Sequence, residues 1–397
     1  MPAEIPLLEP RLFPYDFGHL AQPVEQLAQA LAATAVERDR QGGSAQAQRE
    51  LIRDSGLLTL AIPQRYDGQE LSWPAIYRII RYLAAVDSSL AHLFAFQHLQ
   101  VATILLNGSE QQQRDWLTRT VRERWFWGNA ANGRDNRLTM TERGTGYELD
   151  GSKSFCSGAL GADALIVSAP YGQDRLFLLL PTQRAGLTIN DDWDGFGQRQ
   201  TDSGTVHFNK VVIERDELLS AGAGSPRSTL RVCLSQLILT QLYLGNAQGA
   251  LDASRRYVRE QGHAWPAAGV ASAGEDPFLH KRYGELWLLY RGALQLAEHA
   301  AGFLQQVWER PQTSAEERGE AALLAVEARV SSARAALEIT SQIFEAMGAR
   351  ATASRYGFDR FWRNVRVHSL HDPLDYKVRD LGNWVVNGIA PTVTPYS

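Results

Sequence analysis

The chain has 397 residues, 44% of them apolar and 21% charged, with a formal net charge of −4. So small a charge offers no surface for nucleic acid and no polybasic membrane anchor, and two cysteines, Cys156 and Cys233, exclude a disulfide framework and a thiolate metal site. Met1-Pro-Ala-Glu-Ile-Pro lacks the basic and apolar segments of a signal peptide, and no uncharged apolar run approaches the roughly 20 residues of a membrane span, so a cytoplasmic protein of two or three domains is expected.

Pro2, Pro6, Pro10 and Pro14 mark residues 1–20 as an extended arm. From Pro23 to Leu57 the composition turns helical, with a break at Gly42-Gly43 and a stop at Gly56. Residues 62–70 read as a loop by their Pro and Asp-Gly signals. Ser72-Trp73-Pro74 opens a helix that reaches Val86. Asp87 or Ser88 caps the next, which runs to about Leu106 and stops at Asn107-Gly108; Glu110 to Val121 forms another. At Trp125 the texture changes to short, alternating segments. Tyr147 to Phe155, Ala164 to Ser168, Leu176 to Leu180 and Thr205 to Ile213 read as strands. After Pro226 long helical segments return: Leu230 to Glu260, Pro277 to Trp308, Ser314 to Met347, Arg355 to Val367, and a last helix ending near Asn387. The expected plan is an N-terminal helical domain over 1–124, a small β-domain over 125–220 and a C-terminal helical bundle over 221–397 that also joins subunits.

The stretch from Asn190 to Gly204 is too polar for a core strand. Its glycines, short polar side chains and Trp193 suit either a binding loop or a plain turn with one anchoring ring. Three further segments stand out: Ser89-Leu90-Ala91-His92-Leu93-Phe94; Phe155-Cys156-Ser157-Gly158-Ala159 with Gly161-Ala162-Asp163; and His368-Ser369-Leu370-His371-Asp372-Pro373. With these four segments in this order on an α–β–α plan, nearly the whole chain resembles the acyl-CoA dehydrogenase superfamily. Within it the chain is similar to the flavin-dependent monooxygenase branch typified by dibenzothiophene monooxygenase. The resemblance implies an α+β fold with a helical N-terminal domain, a middle β-barrel or sheet domain and a C-terminal four-helix bundle.

Dehydrogenases of this fold need a carboxylate base facing the flavin. The two regions where relatives carry it are here His368 to Pro373, without a glutamate, and Leu234-Ser235-Gln236-Leu237-Ile238, without a carboxylate. The monooxygenase resemblance implies a different cycle. Reduced FMN arrives from a separate NAD(P)H-dependent flavin reductase, reacts with O2 to a C4a-hydroperoxide, and oxygenates a small organic substrate, organosulfur first. The alternative is a FAD-dependent acyl-CoA dehydrogenase with a displaced base. FAD fits less well, because the dehydrogenases' Arg two residues before Phe-Gly is replaced by Arg259-Glu260-Gln261-Gly262-His263-Ala264-Trp265. The branch also implies a homotetramer.

The resemblance assigns roles residue by residue. His92 stands near the oxygenating centre, although a lone His on an apolar helix face is usually a core residue. Phe96, where some relatives have Tyr, lies on the same face and lines the substrate pocket. Asn129 hydrogen-bonds the flavin edge or the peroxide, unless it is only a turn asparagine. In an extended segment Phe155 and Ser157 point the same way while Cys156 packs, so Phe155 lines the flavin or substrate pocket and Ser157 hydrogen-bonds flavin or the peroxide. Trp193 covers the ring system or walls the substrate pocket. Ser203 contacts flavin, with Arg199 and Thr201 as lesser candidates; for Arg199 an ion pair with Asp191, Asp192 or Asp194 is the plainer alternative. His371 is the expected acid–base residue, with His368 as competitor. Arg350 resembles an arginine that grips the flavin phosphate across a subunit boundary, and His263 stands where a relative has a second phosphate ligand. No metal is expected.

Overall fold

The computed structural model describes residues 12–172 and 174–394. The arm expected at Pro2, Pro6 and Pro10 lies outside the described residues. Six helices come first: α1 Ala21–Ala32, α2 Ala35–Gln41, α3 Gln46–Asp54, α4 Trp73–Ala84, α5 Ser88–Asn107 and α6 Glu110–Glu123. Their ends follow the expected signals. Asp87 caps α5 by accepting from Leu90 N at 3.1 Å, and Ser109 with Gln112 forms a capping box on α6.

Contrary to the expectation that no uncharged apolar run nears the length of a membrane span, the 20-residue helix α5 is apolar enough to cross one by length and composition, yet 94% of that window is buried within the protein. It is the central helix of the fold, and its burial on every side explains why its apolar residues show little one-sided periodicity.

Eight strands follow: β1 Trp127–Ala130, β2 Thr139–Arg143, β3 Gly146–Lys153, β4 Ala164–Tyr171, β5 Asp174–Pro181, β6 Leu187–Ile189, β7 Val206–Ile213 and β8 Leu218–Leu219. They form two four-stranded sheets, ordered β1-β4-β5-β8 and β2-β3-β7-β6, with β1 parallel to β4. Leu165, Val167, Leu178 and Leu180 face a core shared with Leu149, Val206 and Phe208 of the second sheet. Trp127, Ile166 and Leu179 alternate onto the other face and pack with Val101 and Ile104 of α5 and Leu117 of α6.

The strand expected from Tyr147 to Phe155 stops at Lys153. Asp135 captures the next residue, accepting from Ser154 N at 2.8 Å and from Ser154 Oγ at 2.9 Å, which ends the ladder. Phe155 then turns with φ at +57°. Phe155 and Ser157 therefore do not share the face of an extended strand: Phe155 is 59% exposed and Ser157 is buried.

The C-terminal helices are α7 Leu230–Gln261, α8 Pro277–Glu309, α9 Ala315–Met347, α10 Asp359–Ser369 and α11 Leu374–Asn387. Helices α7, α8, α9 and α10 form the bundle, and α11 lies against α9. Ser314 and Glu317 box the start of α9. The helix expected from Arg355 to Val367 is divided, because Gly357 at φ +60° closes a short 3-10 turn before α10 begins. Helix α7 runs antiparallel to α5: Asn246 Nδ2 meets Ser88 Oγ at 2.8 Å at one end, and Arg231 Nε meets Thr103 Oγ1 at 2.7 Å at the other.

Candidate active site

Helix α5 supplies the first wall. His92, Phe96 and Gln100 recur every fourth residue, so they share one face. His92 stacks on Phe96 with centroids 4.1 Å apart and on His368, from the end of α10, at 4.9 Å. His92 is 5% exposed, and neither of its ring nitrogens has a protein partner. Burial first, and the nearby His371 second, push its pKa down to about 3. His368 is held well below its usual range by burial first and then by His92, His371 and Arg329. Its Nδ1 is also buried without a partner. Both imidazoles are therefore neutral at physiological pH.

His371 sits just past α10 and is 44% exposed at its side chain, with Nδ1 3.0 Å from Asp372 Oδ1. Asp372 also takes Arg329 Nη2 at 2.6 Å and Lys377 Nζ at 2.7 Å. Burial opposes its ionisation, but His371, Arg329 and Lys377 outweigh that and hold the carboxyl well below the usual carboxylate range. Asp372 is thus a committed anion with three cationic or proton-bearing partners and no capacity as a free base.

The β-domain supplies the second wall. Asn129, on β1, donates its backbone N–H to Ser157 O at 2.9 Å and accepts from Gln100 Nε2 at 3.4 Å. Ser157 Oγ lies 2.8 Å from Ser203 Oγ, which lies 2.7 Å from Thr201 Oγ1, giving a buried chain of three hydroxyls. Phe155 and Trp193 meet edge to face at 6.0 Å, and Trp193 donates its indole N–H to Gln198 O at 2.8 Å.

Residues from the helical domains that sequence reading missed hold this hydroxyl loop. Arg49 of α3, 1% exposed, pairs with Asp202 and donates to Gly158 O at 3.2 Å. Arg38 of α2 reaches Gln200 Oε1 at 2.7 Å and Asp87 Oδ2 at 2.5 Å. Gln198 Nε2 donates to Ser88 Oγ at 2.6 Å, one turn before His92, and Gln198 N donates to Asn364 Oδ1 at 2.6 Å. Two glycines make room. A Cβ at Gly161 would fall 2.2 Å from Arg49 Nη1, and one at Gly197 would fall 2.2 Å from Arg363 O. Gln198 and Asp202 adopt φ of +51° and +46°, a conformation that side chains resist and that the surrounding bonds enforce. A buried arginine and a positive-φ aspartate in different domains leave no local signal. Only the unusual burial of charge, visible after folding, reveals them.

The fold thus joins His92, Phe96 and His368 by ring stacks, with His371 nearby, and Asn129, Ser157 and Ser203 by hydrogen bonds; Gln100 of α5 bonds Asn129 and so links the two groups, and Phe155 meets Trp193. Arg199 points elsewhere: its guanidinium lies over Gly42 and its Nη2 is 3.4 Å from Arg40 O, and among the described residues no ion pair joins it to Asp191, Asp192 or Asp194. His263 and Arg350 are exposed and are not brought to the cleft within one chain. His263 follows the end of α7, roughly 27 Å of helix beyond Tyr243, whose hydroxyl bonds His368 O at 2.9 Å. Arg350 follows α9 and lies near the same end, beside Tyr257.

The residues fit a flavin. Buried polar atoms without a protein partner, His92 Nδ1 and Nε2, Gln100 Oε1 and His368 Nδ1, coincide with the hydroxyl chain and the Phe155–Trp193 pair. That combination offers ring-facing surfaces and both donors and acceptors for a heteroaromatic edge.

Comparison with known proteins agrees. Residues 19–124 match the acyl-CoA dehydrogenase N-terminal domain and 237–376 an acyl-CoA dehydrogenase C-terminal domain. Dibenzothiophene monooxygenase from Rhodococcus erythropolis is 44% identical over 386 residues, covering 92% of each chain. The structure of methanesulfinate monooxygenase MsuC from Pseudomonas fluorescens superposes with a TM-score of 0.93 at 43% identity, over 96% of this chain and 100% of that one. TdsC from Paenibacillus, solved with FMN and indole, gives 0.92 at 42% identity over 96% and 100% of the chains. The chain belongs to the acyl-CoA dehydrogenase family, in its flavin-dependent monooxygenase branch.

Proposed function

We propose that the chain is a two-component monooxygenase that uses O2 and reduced FMN, delivered by an NAD(P)H-dependent flavin reductase, to oxygenate a small organosulfur compound in the cytoplasm. The observation that carries this reading is the stack of two desolvated, neutral imidazoles beside an amide and three hydroxyls, with Asp372 as the carboxylate touching a site imidazole and already neutralised. Dehydrogenation of a thioester would need a carboxylate able to accept a proton, and Asp372 is held by Arg329 and Lys377 instead.

Reduced FMN, when bound, supplies the two electrons with which one oxygen atom bonds to sulfur and the other leaves as water. The chain's own residues do the rest. Asn129, Ser157 and Ser203 hold the heteroaromatic edge, while Phe155 and Trp193 cover it. His92, Phe96 and His368 keep water away from the reacting centre. His371, fixed through Nδ1 by Asp372, gives and takes the proton. His263, past the end of α7, and Arg350, past the end of α9, lie too far from His92 and His368 to serve their own subunit's site and meet a neighbouring subunit's flavin phosphate. That assignment fits a homotetramer, whose interfaces would cover the exposed Phe278 and Leu288 of α8 and Val385 and Val386 of α11. Arg199 serves as a tether between the hydroxyl loop and the end of α2.

The test supplies enzyme, FMN, NADH, a flavin reductase, O2 and a panel of sulfur compounds. Oxygenated product that depends on the reductase is expected, and His371→Ala should release H2O2 while product falls. Acyl-CoA oxidation with bound FAD and no reductase would overturn the reading.

A further inference from the structure

We propose that Lys377 is a positioning residue for the proton step: its charge holds Asp372 so that His371 keeps one proton on Nδ1 and takes and gives the other at Nε2. The inference rests on the oxygenase reading above and deepens it, from the acid–base residue to the group that governs it. A carboxylate oxygen only accepts, so the 3.0 Å contact between His371 Nδ1 and Asp372 Oδ1 places a proton on Nδ1. In the neutral imidazole the lone pair is then at Nε2. Oδ1 also takes Arg329 Nη2 at 2.6 Å, and Oδ2 takes Lys377 Nζ at 2.7 Å. Both oxygens are held, so the carboxylate cannot turn away from the imidazole.

Three helices meet at that carboxylate. Arg329 stands in the middle of α9, fully buried, with its other terminal nitrogen on Gln236 of α7. Lys377 is in the first turn of α11 and is 4% exposed. Tyr243 of α7 ties the start of the same segment through His368 O at 2.9 Å. One cation is enough to neutralise a carboxylate, and two leave the cluster with one net positive charge beside the imidazole. The charged and titratable groups around His371 are Asp372, Arg329 from α9, Lys377 from α11, His92 from α5 and His368 from α10, with Asp380 acting on Lys377 from within α11. The two histidines are neutral, so Arg329, Asp372 and Lys377 set the sign of the field. Excess positive charge opposes a lasting imidazolium, and a proton taken at Nε2 is readily given up again. Stability does not account for the second cation. Burial lowers the pKa of the Lys377 ammonium against the pull of Asp372, and a well-packed apolar side chain often replaces a buried charge without loss.

The experiment reads the His371 proton in the full-length protein without flavin. Diethyl pyrocarbonate acylates the neutral imidazole, and peptide mass spectrometry follows its rate at His371 against pH for wild type, Lys377→Gln and Lys377→Arg. Glutamine keeps a donor for Oδ2 and removes the charge, and arginine restores the charge. Losing a cation relieves repulsion of the imidazolium and leaves Asp372 less compensated, so the protonated form gains and the midpoint moves to higher pH. We expect a rise of about 1 pH unit in Lys377→Gln, a tenfold gain in proton affinity, and a change within about 0.3 unit in Lys377→Arg. With the reductase and the panel of sulfur compounds, the pH profile of product formed per O2 consumed should shift upward in Lys377→Gln by the same amount. Lys377→Met gives the same test should the glutamine variant fold poorly. An unmoved midpoint in Lys377→Gln, or an equal rise in Lys377→Arg, would overturn the assignment. A midpoint that follows Lys377 while no sulfur compound is oxygenated would keep the positioning role and remove the oxygenase reading. Oxygenation whose pH profile ignores Lys377 would keep that reading and remove the positioning role.

Discussion

The hydroxyl loop and the imidazole stack are linked through Gln100 and Asn129, but their side chains are tied in different ways. Around Thr201, Asp202 and Ser203 a network reaches in from Arg49, Arg38, Ser88 and Asn364, although Asp202 Oδ1, Gln198 Oε1 and Arg49 Nε stay buried without a protein partner. His92 and His368 are as deeply buried, yet three of their four ring nitrogens have no protein partner. Leaving a buried polar atom unpaired costs about 1–3 kcal/mol. The loop carries a few such atoms inside a network of ion pairs and hydrogen bonds, whereas neither His92 nitrogen is bonded at all, so the loop is built for rigidity and the stack leaves its polar atoms to a ligand. Geometry is fixed by the loop, and chemistry is left to the stack.

Breaking the loop should cost the most. Arg49→Met would strand Asp202 in a site where both side chains are 1% exposed, and the loss of stability should be about 3–5 kcal/mol, read from the denaturant midpoint. A loss below about 1 kcal/mol would mean that the pair does not hold the loop.

Acid should act on the stack next. His92 has its pKa lowered from 6.5 to about 3, so its neutral form is the folded form. The stabilisation is intact above 6.5 and is lost as pH falls toward 3. At pH 5 the loss should be about 2 kcal/mol for His92, with a similar amount from His98, whose burial also takes it to about 3. Denaturation in urea at pH 7.5 and pH 5 measures it. His92→Phe should remove the part due to His92, and an unchanged pH dependence in that variant would mean that His92 is solvated.

The smallest effect on stability is expected from His92→Phe at neutral pH. The new ring can stack where the imidazole did and leaves no nitrogen unpaired, so the change should stay within about 1 kcal/mol. Product formation should nevertheless fall sharply, with H2O2 rising. Retained coupling would place His92 among core residues.

Much of this could be read along the chain. The caps at Asp87, Ser109 and Ser314 and the stops at Asn107-Gly108 and Gly348 located the long helices, because each is a local bond or a local φ. The four segments that marked the family also contain His92, Ser157, Ser203, His368 and His371, and the structure stacks His92 on His368 beside His371 and bonds Ser157 to Ser203. Shorter features were lost. Strands β1, β2, β6 and β8 are two to five residues long and carry too little pattern to see. The strand expected through Phe155 ended early because Asp135, far along the loop, took Ser154.

The sequence by itself determined the α–β–α order, the helix limits and the kind of residues available for chemistry, since these depend on neighbours within a turn or two. Only the tertiary structure decided that His92 lies on His368, that Arg329 holds Asp372 as an anion, and that Arg49 and Arg38 grip the hydroxyl loop. Each of these is a matter of burial and distance between segments more than 40 residues apart in the chain, where desolvation sets protonation and pairing and no local pattern records it.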